Sequence, residues 1–355
     1  MAEVSNRKVV LRRYVTGYPT EDDFEVVAGT ARLAVPPGMA AAAVLVKNLY
    51  LSCDAWMRGR MSGGVLTVAN DFVLGEAMTN FGVAKVVDST HPGFLAGDLV
   101  WGMSGWEEYT LVADDPAAAF VKINHPDLPL SYYTGVLGMS GLTAYAGLFE
   151  VCKPAKGDRV FVSAASGAVG QVVGQLAKLA GCYVVGSVGS DEKVSLLKTR
   201  FGFDDAINYK AEADIEAALR RRFPEGIDAY FDNVGGATLD AALACMRLRG
   251  RVAVCGMVSQ YNLRPEEEDG GGVRMRNLAC IVAKRVRMEG FNVVDYLADG
   301  AYYRRFEEEM AGHLRDGRVV YVEDVAEGLE SAPAALVGIF RGRNVGRQLV
   351  VVARE

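Results

Sequence analysis

The sequence predicts an α/β protein in which a β-rich first domain precedes a doubly wound parallel sheet. Three observations carry this. Up to about residue 130, short apolar segments are punctuated by turn residues at the spacing of a compact β domain. From Leu130 onward, strands and helices alternate, which is the pattern of a parallel sheet with helical crossovers. Within that half, residues 159–174 join an apolar strand, a tight turn of small residues and a helix start, the three parts of a dinucleotide-binding unit.

In the first domain, strands are expected at 8–12, 43–51, 81–87, 99–102 and 109–112. The His91-Pro92-Gly93 turn and the Gly97-Asp98 pair suit hairpin or loop positions before the strand at Leu99. In the second half, strands are expected at 159–162, 183–188, 206–208, 227–232, 251–256 and 286–290, with helices between them, the first at 171–180. Amphipathic helices are expected near 303–316 and 325–332. A closing strand at 347–352 follows once the sheet is complete, so it rejoins the first domain. The domains are then 1–130, 131–302 and a return at 303–355. The run Glu266-Glu267-Glu268-Asp269-Gly270-Gly271-Gly272 neither buries surface nor fixes a backbone, so it reads as a mobile exposed loop with no assigned chemistry.

The chain has 355 residues, 50% hydrophobic and 23% charged, which describes an ordinary soluble protein with room for two domains. A net charge of -6 with no basic stripe argues against nucleic acid as a partner. The apolar run 39–46 is too short to span a bilayer, and the polar first eight residues hold no signal-peptide core. The reading is a cytoplasmic protein with no membrane partner. Cys53, Cys152, Cys182, Cys245, Cys255 and Cys280 stand singly, and the three histidines are isolated, two of them before proline. Such spacing builds neither a zinc ribbon nor a disulfide framework, so no metal site is expected and the thiols are free in a reducing compartment.

In the dinucleotide unit, Ala164 and Gly167 let the backbone approach a pyrophosphate. Gly170 and Gly174 let the helix lie close to the sheet, and the N–H groups at the helix start face anionic charge. An NAD-binding unit places a carboxylate after its second strand, where this chain has Gly186-Ser187-Val188-Gly189-Ser190. With Lys193 one helical turn on, the pocket favours the 2′-phosphate of NADP; a solvated surface lysine is the alternative. Asp191 and Glu192 suit the first turn of the following helix. Beyond the carboxyl ends of the later strands lie Asp232-Asn233-Val234-Gly235-Gly236, the run Cys255 to Tyr261, and Phe291-Asn292, each within reach of a nicotinamide. From spacing alone, Tyr261 is either a packed tyrosine or a donor to substrate.

These segments resemble the zinc-independent medium-chain dehydrogenase/reductase superfamily, and more narrowly the plant NADPH-dependent alkenal double-bond reductases, relatives of the leukotriene and prostaglandin reductases. The likeness rests on Ser163-Ala164-Ala165-Ser166-Gly167-Ala168-Val169-Gly170, Asp232-Asn233-Val234-Gly235-Gly236, Cys255-Gly256-Met257-Val258-Ser259-Gln260-Tyr261-Asn262 and Asn344-Val345-Gly346. It extends to Val46-Lys47-Asn48-Leu49-Tyr50-Leu51-Ser52-Cys53-Asp54, Leu130-Ser131-Tyr132-Tyr133-Thr134-Gly135 and Tyr321-Val322-Glu323-Asp324-Val325, so it runs nearly end to end.

The resemblance implies a GroES-like β-rich catalytic domain plus a Rossmann domain, usually in a homodimer. It implies reduction of the C=C bond of α,β-unsaturated aldehydes or ketones by NADPH, with hydride added to the β-carbon. Position by position, Ser166, Gly167, Ala168 and Val169, leading into Gly170, would hold the pyrophosphate, and Ser187, Lys193 and Tyr209 the 2′-phosphate. Asn233, Cys255 and Asn344 would line the rest of the cofactor site. Tyr261 would touch the substrate carbonyl and stabilise the enolate. The α-carbon then takes a proton from this tyrosine or from water. Trp56, Phe81 and Phe291 are read as walls of an apolar enal pocket or as core aromatics. Zinc-dependent relatives carry a Gly-His-Glu where this chain has Gly75-Glu76, and Cys53 has no companion ligands. Where the family commonly reads Cys-Asp-Pro-Tyr-Met, this chain reads Cys53-Asp54-Ala55-Trp56-Met57, and Phe81 replaces a frequent tyrosine, so the pocket is less polar. A quinone oxidoreductase and a catalytically idle NADPH-binding protein are the competing functions; intact Lys193, Tyr209 and Tyr261 weigh against the latter.

Overall fold

The computed structural model describes residues 3–39, 42–64, 70–113, 115–263 and 275–354. The acidic and glycine run 266–272 lies outside them. The chain forms two compact units, Met1–Gly138 with Glu323–Glu355, and Met139–Val322. In chain order the strands of the first unit are β1 Glu3–Ser5, β2 Lys8–Leu11, β3 Phe24–Val27, β4 Thr30–Arg32, β5 Val44–Ser52, β6 Thr79–Ser89, β7 Leu99–Gly105, β8 Tyr109–Val112 and β9 Phe120–Lys122. Those of the second are β10 Arg159–Val162, β11 Tyr183–Val188, β12 Asp205–Asn208, β13 Ile227–Asp232, β14 Met246–Val254 and β15 Arg287–Gly290. β16 Glu323–Glu327 and β17 Arg347–Val351 return to the first.

The first unit is built on a seven-stranded sheet ordered β16-β17-β5-β6-β7-β9, with β8 also on β5. β5 is mostly buried on both faces because the sheet has a core on each side. Val44, Val46, Ala84, Val100 and Phe120 form one core. Leu51, Met57, Trp106, Leu336 and Val350 belong to the other. The closing strand β17 lies antiparallel to β5, pairing Val350 with Leu51, so the chain's last strand completes the sheet its first third began.

One expected helix is absent. Residues 323–327 form β16, parallel to β17 with Val325 opposite Leu349. Gly328 at φ +81 ends the strand, and the helix begins only at Ala332–Phe340, with a proline in its first turn. The backbone of 323–327 is paired to a neighbour already in register, and that ladder outweighs a weak helical periodicity. The short strands β1, β3, β4 and β9 carry no period-2 signal of their own and exist through their partners.

The second unit is a six-stranded, all-parallel sheet ordered β12-β11-β10-β13-β14-β15. The order reverses between β10 and β13, the switch point at which doubly wound sheets bind dinucleotides. Its buried strands are bounded by helices, among them Gly170–Leu179, Asp191–Thr199, Ile215–Arg222 and Gly236–Cys245. β14 starts five residues earlier than the sequence suggests, with Arg249 at φ +59 inside it. The unit boundaries fall at 138/139 and 322/323 rather than 130/131 and 302/303. Helix Gly300–Arg315 belongs to the second unit because Phe306 packs edge-on to Tyr145, 5.5 Å between ring centres, and Tyr145 donates to Glu309 at 2.6 Å. The turn Leu130–Thr134 stays with the first unit, where the Thr134 carbonyl accepts from Arg347 at 2.6 Å.

Candidate active site

The small-residue turn after β10 owes its shape to missing side chains. Ala164 takes φ +48, and the Ala165 N–H donates to the Ser187 carbonyl at 3.0 Å, tying this turn to the end of β11. A Cβ on Gly170 would stand 2.4 Å from the Ala164 carbonyl oxygen and 2.7 Å from the Ala165 Cα. One on Gly174 would enter the Phe203 ring, and one on Gly186 would meet Ala165 and Leu197 at 2.6 Å. These contacts hold the helix Gly170–Leu179 hard against the turn. Among the described residues no side chain caps its N-terminus, so the backbone N–H groups there suit an anion. Ser166 is buried beside them.

At the end of β11, Ser187 is buried and Lys193 nearly so, while Tyr209 is exposed at 46%. Ser190 caps the helix Asp191–Thr199 by accepting the Lys193 N–H at 3.3 Å. The Tyr209 N–H donates to the Val188 carbonyl at 3.0 Å, and the Tyr209 ring lies over Gly189. Asp191, whose charge would repel a phosphate, is taken by the Asn208 side-chain amide at 2.7 Å.

Beyond β13 and β14, two loops are stitched together. The Asp232 carbonyl accepts N–H bonds from Cys255 at 2.9 Å and Gly256 at 3.1 Å; the Ser259 N–H and hydroxyl both reach the Val234 carbonyl, the hydroxyl at 2.7 Å. Asp232 is fully buried, and burial raises its carboxyl pKa, opposed by N–H bonds from Gly235 and Val234 and a bond from the Tyr230 hydroxyl. Ser163 accepts the Asn233 N–H at 3.0 Å while the Asn233 amide donates to the Ser163 carbonyl at 2.8 Å, so Asn233 is locked to the end of β10. The Cys255 thiol is pushed up to about 12 by desolvation, with Asp232 adding to it.

Tyr261 completes this cluster. Its Oη accepts the Met257 N–H at 3.2 Å, and a Cβ on Gly256 would come within 3.1 Å of the same oxygen. Burial raises the phenol pKa, against the pull of the Met257 bond. The oxygen is held by the backbone, and among the described residues the O–H proton has no acceptor. A neutral phenol so held can donate to an oxygen that gains charge.

The second unit thus gathers Ser166 to Gly170, Ser187, Lys193, Tyr209, Asn233, Cys255 and Tyr261 at the carboxyl ends of its strands. Phe291 belongs to that unit too and packs on Phe231, 6.1 Å between centres, and over Gly147, where a Cβ would touch its ring. Trp56, Phe81 and Asn344 belong to the first unit. Trp56 meets Phe81 edge-on at 6.5 Å, and Phe81 meets Trp101 at 5.9 Å. Asn344 donates to the Gly346 carbonyl at 2.7 Å and the Val345 N–H to Asp324 at 2.9 Å.

Sequence reasoning assigned no role to a buried network in the first unit. The Arg347 guanidinium forks onto both Asp54 oxygens and onto the Cys53 and Thr134 carbonyls; Ser52 and Asn80 donate to Asp54 at 2.7 and 2.9 Å. It anchors the turn Ala55–Met61 that carries Trp56, and the strand start that follows Asn344. The partners are far apart in sequence, and the run Ser52-Cys53-Asp54 carries no spacing signal for a pair with Arg347.

Residues 168–311 match the family model described as "Zinc-binding dehydrogenase", and residues 7–121 that described as "N-terminal domain of oxidoreductase". Zinc does not fit the residues present: among the described residues no three His, Cys, Asp or Glu side chains group so as to hold a metal ion. The chain is 58% identical to the NADP(+)-dependent 2-alkenal reductase of Nicotiana tabacum, over 99% of each chain. It is 52% identical to the (+)-pulegone reductase of Mentha piperita, over 99% of this chain and all of that one. The crystal structure of CurA from Vibrio vulnificus in complex with NADPH superposes with a TM-score of 0.86 at 35% identity, covering 98% of this chain and all of the other. Glycine turn, stitched loops and end-to-end identity agree, and the chain belongs to the alkenal double-bond reductase family of the medium-chain dehydrogenase/reductase superfamily.

Proposed function

We propose that this protein uses NADPH to reduce the carbon–carbon double bond of α,β-unsaturated aldehydes and ketones, with Tyr261 as the donor that stabilises the enolate oxygen. The observation that carries the reading is the Tyr261 hydroxyl, held by the Met257 N–H with its own proton left to donate, on a loop stitched to Asn233. When bound, NADPH supplies the hydride for the β-carbon. The chain's own residues bind, orient and polarise. Ser166, Gly167, Ala168, Val169 and Gly170 take the pyrophosphate, and Ser187, Lys193 and Tyr209 the 2′-phosphate. Within the second unit, Asn233 and Cys255 line the remainder of the site. Within the second unit Phe291 gives the substrate an apolar wall, and within the first Trp56 and Phe81 form an apolar pair. The tobacco and peppermint relatives, named for 2-alkenals and for an enone, support a conjugated carbonyl as substrate.

Purified protein tested with a 2-alkenal, a cyclic enone and a benzoquinone decides the matter. Fast NADPH consumption with the first two, giving a saturated carbonyl that carries deuterium at the β-carbon from labelled cofactor, is the expected result. Quinone turnover with inert enals, or label on the carbonyl carbon of an allylic alcohol, refutes it, and background consumption throughout leaves the idle binding protein.

The same reading includes a homodimer and a cytoplasmic setting. β15 is the sheet edge with all four residues exposed, and beside it Val282 and Val294 are 80% and 55% exposed. A bare edge flanked by apolar side chains suits pairing with a second copy. All six cysteines are free, as a reducing compartment requires, and among the described residues no helix is long and apolar enough to cross a membrane.

A further inference from the structure

The ends of β11 and β12 hold a cation that neither the sequence pattern nor the family resemblance assigns. Lys210 follows Tyr209, and a Cβ on Gly189 would lie 3.1 Å from the Tyr209 Oη and 3.3 Å from the Lys210 Cε. Both side chains therefore lie over one bare glycine of the carboxylate-free stretch after β11. Asn208 organises the place from below. Its amide takes Asp191 at 2.7 Å, its side-chain oxygen accepts the Lys210 N–H at 3.2 Å, and its carbonyl accepts the Ala211 N–H at 3.0 Å. One residue thus occupies Asp191, an acid at the start of the helix after β11, and fixes the backbone that carries Lys210. Among the described residues the Lys210 ammonium has no ion-pair partner, while neighbours such as Lys198 and Arg222 pair with Asp205.

We infer that Lys210 is a specificity-determining residue, a second cation that, with Lys193, would hold the adenosine 2′-phosphate. Two cations flanking a dianion raise affinity for the phosphorylated ribose and leave the unphosphorylated one untouched. A side chain on Gly189 would fill the space both residues share. This rests on the NADPH reading above.

The test uses the full-length protein and two probes, 2′,5′-ADP and 5′-AMP, titrated by calorimetry at low and physiological salt. The wild type is expected to prefer 2′,5′-ADP. Lys210→Ala is expected to weaken 2′,5′-ADP by about ten-fold, to flatten its salt dependence and to leave 5′-AMP unchanged, while Lys210→Arg restores most of the loss. Unchanged 2′,5′-ADP affinity in Lys210→Ala, with the wild-type preference intact, overturns the role of Lys210 alone. A wild type that binds both probes equally overturns the NADPH reading and this inference together. Equal weakening of both probes assigns Lys210 to the fold and likewise overturns it.

Discussion

At the scale of single residues, the chemistry concentrates on one phenol. Removing the Tyr261 hydroxyl as Tyr261→Phe deletes a donor aimed at developing charge, which costs about 2.7–4 kcal/mol, or roughly 10²–10³ in kcat. Because the ring stays and the Met257 N–H is bonded to the Tyr261 Oη rather than to a proposed cofactor residue, NADPH affinity is expected to hold; fluorescence titration beside steady-state kinetics checks both. The active form is the protonated one, and burial places its pKa above the usual 10. Activity is thus present below that value and lost as pH rises through it, so the midpoint of the falling limb in the wild-type kcat profile lies above pH 10. A fall nearer pH 7 to 8 assigns the limb to another group. Of this site, the glycine turn and the missing carboxylate were legible from spacing, since they follow from local backbone demands. The Met257 bond was not, because the turn that forms it depends on the stitching of residues 255–259 onto the β13 loop.

At the scale of elements, the parallel strands were the most readable part. β10, β11 and β13 are largely buried on both faces and announce themselves through short apolar cores at 160–162, 184–185 and 229–231. The segment 323–327 misled because its two adjacent apolar residues, Val325 and Ala326, fix no period of their own and its register partners in β17 lie 24 residues on. Long-range polar pairing is equally silent in sequence. Arg347 and Asp54 are almost wholly buried, and removing one partner strands the other charge. Arg347→Met is expected to cost about 3–5 kcal/mol in urea unfolding, and the double variant Asp54→Asn/Arg347→Met to recover most of it. If the single variant unfolds like the wild type, the pair contributes nothing to the first unit's stability.

At the scale of the whole molecule, the exposed β15 edge makes association testable without any substrate. Light scattering is expected to give twice the 38.1 kDa of one chain. Lys in place of both Met288 and Val282 puts charge on the edge and its neighbour and is expected to return the mass to a single copy; a persistent dimer moves the interface elsewhere. The first unit raises a separate matter of timing. Its central strand β5 waits for β17, almost three hundred residues later, to cover Leu49 and Leu51 with their final neighbour. On the ribosome the second unit is therefore complete before β17 has been made, while the half that surrounds it in sequence holds an open seam until that strand arrives.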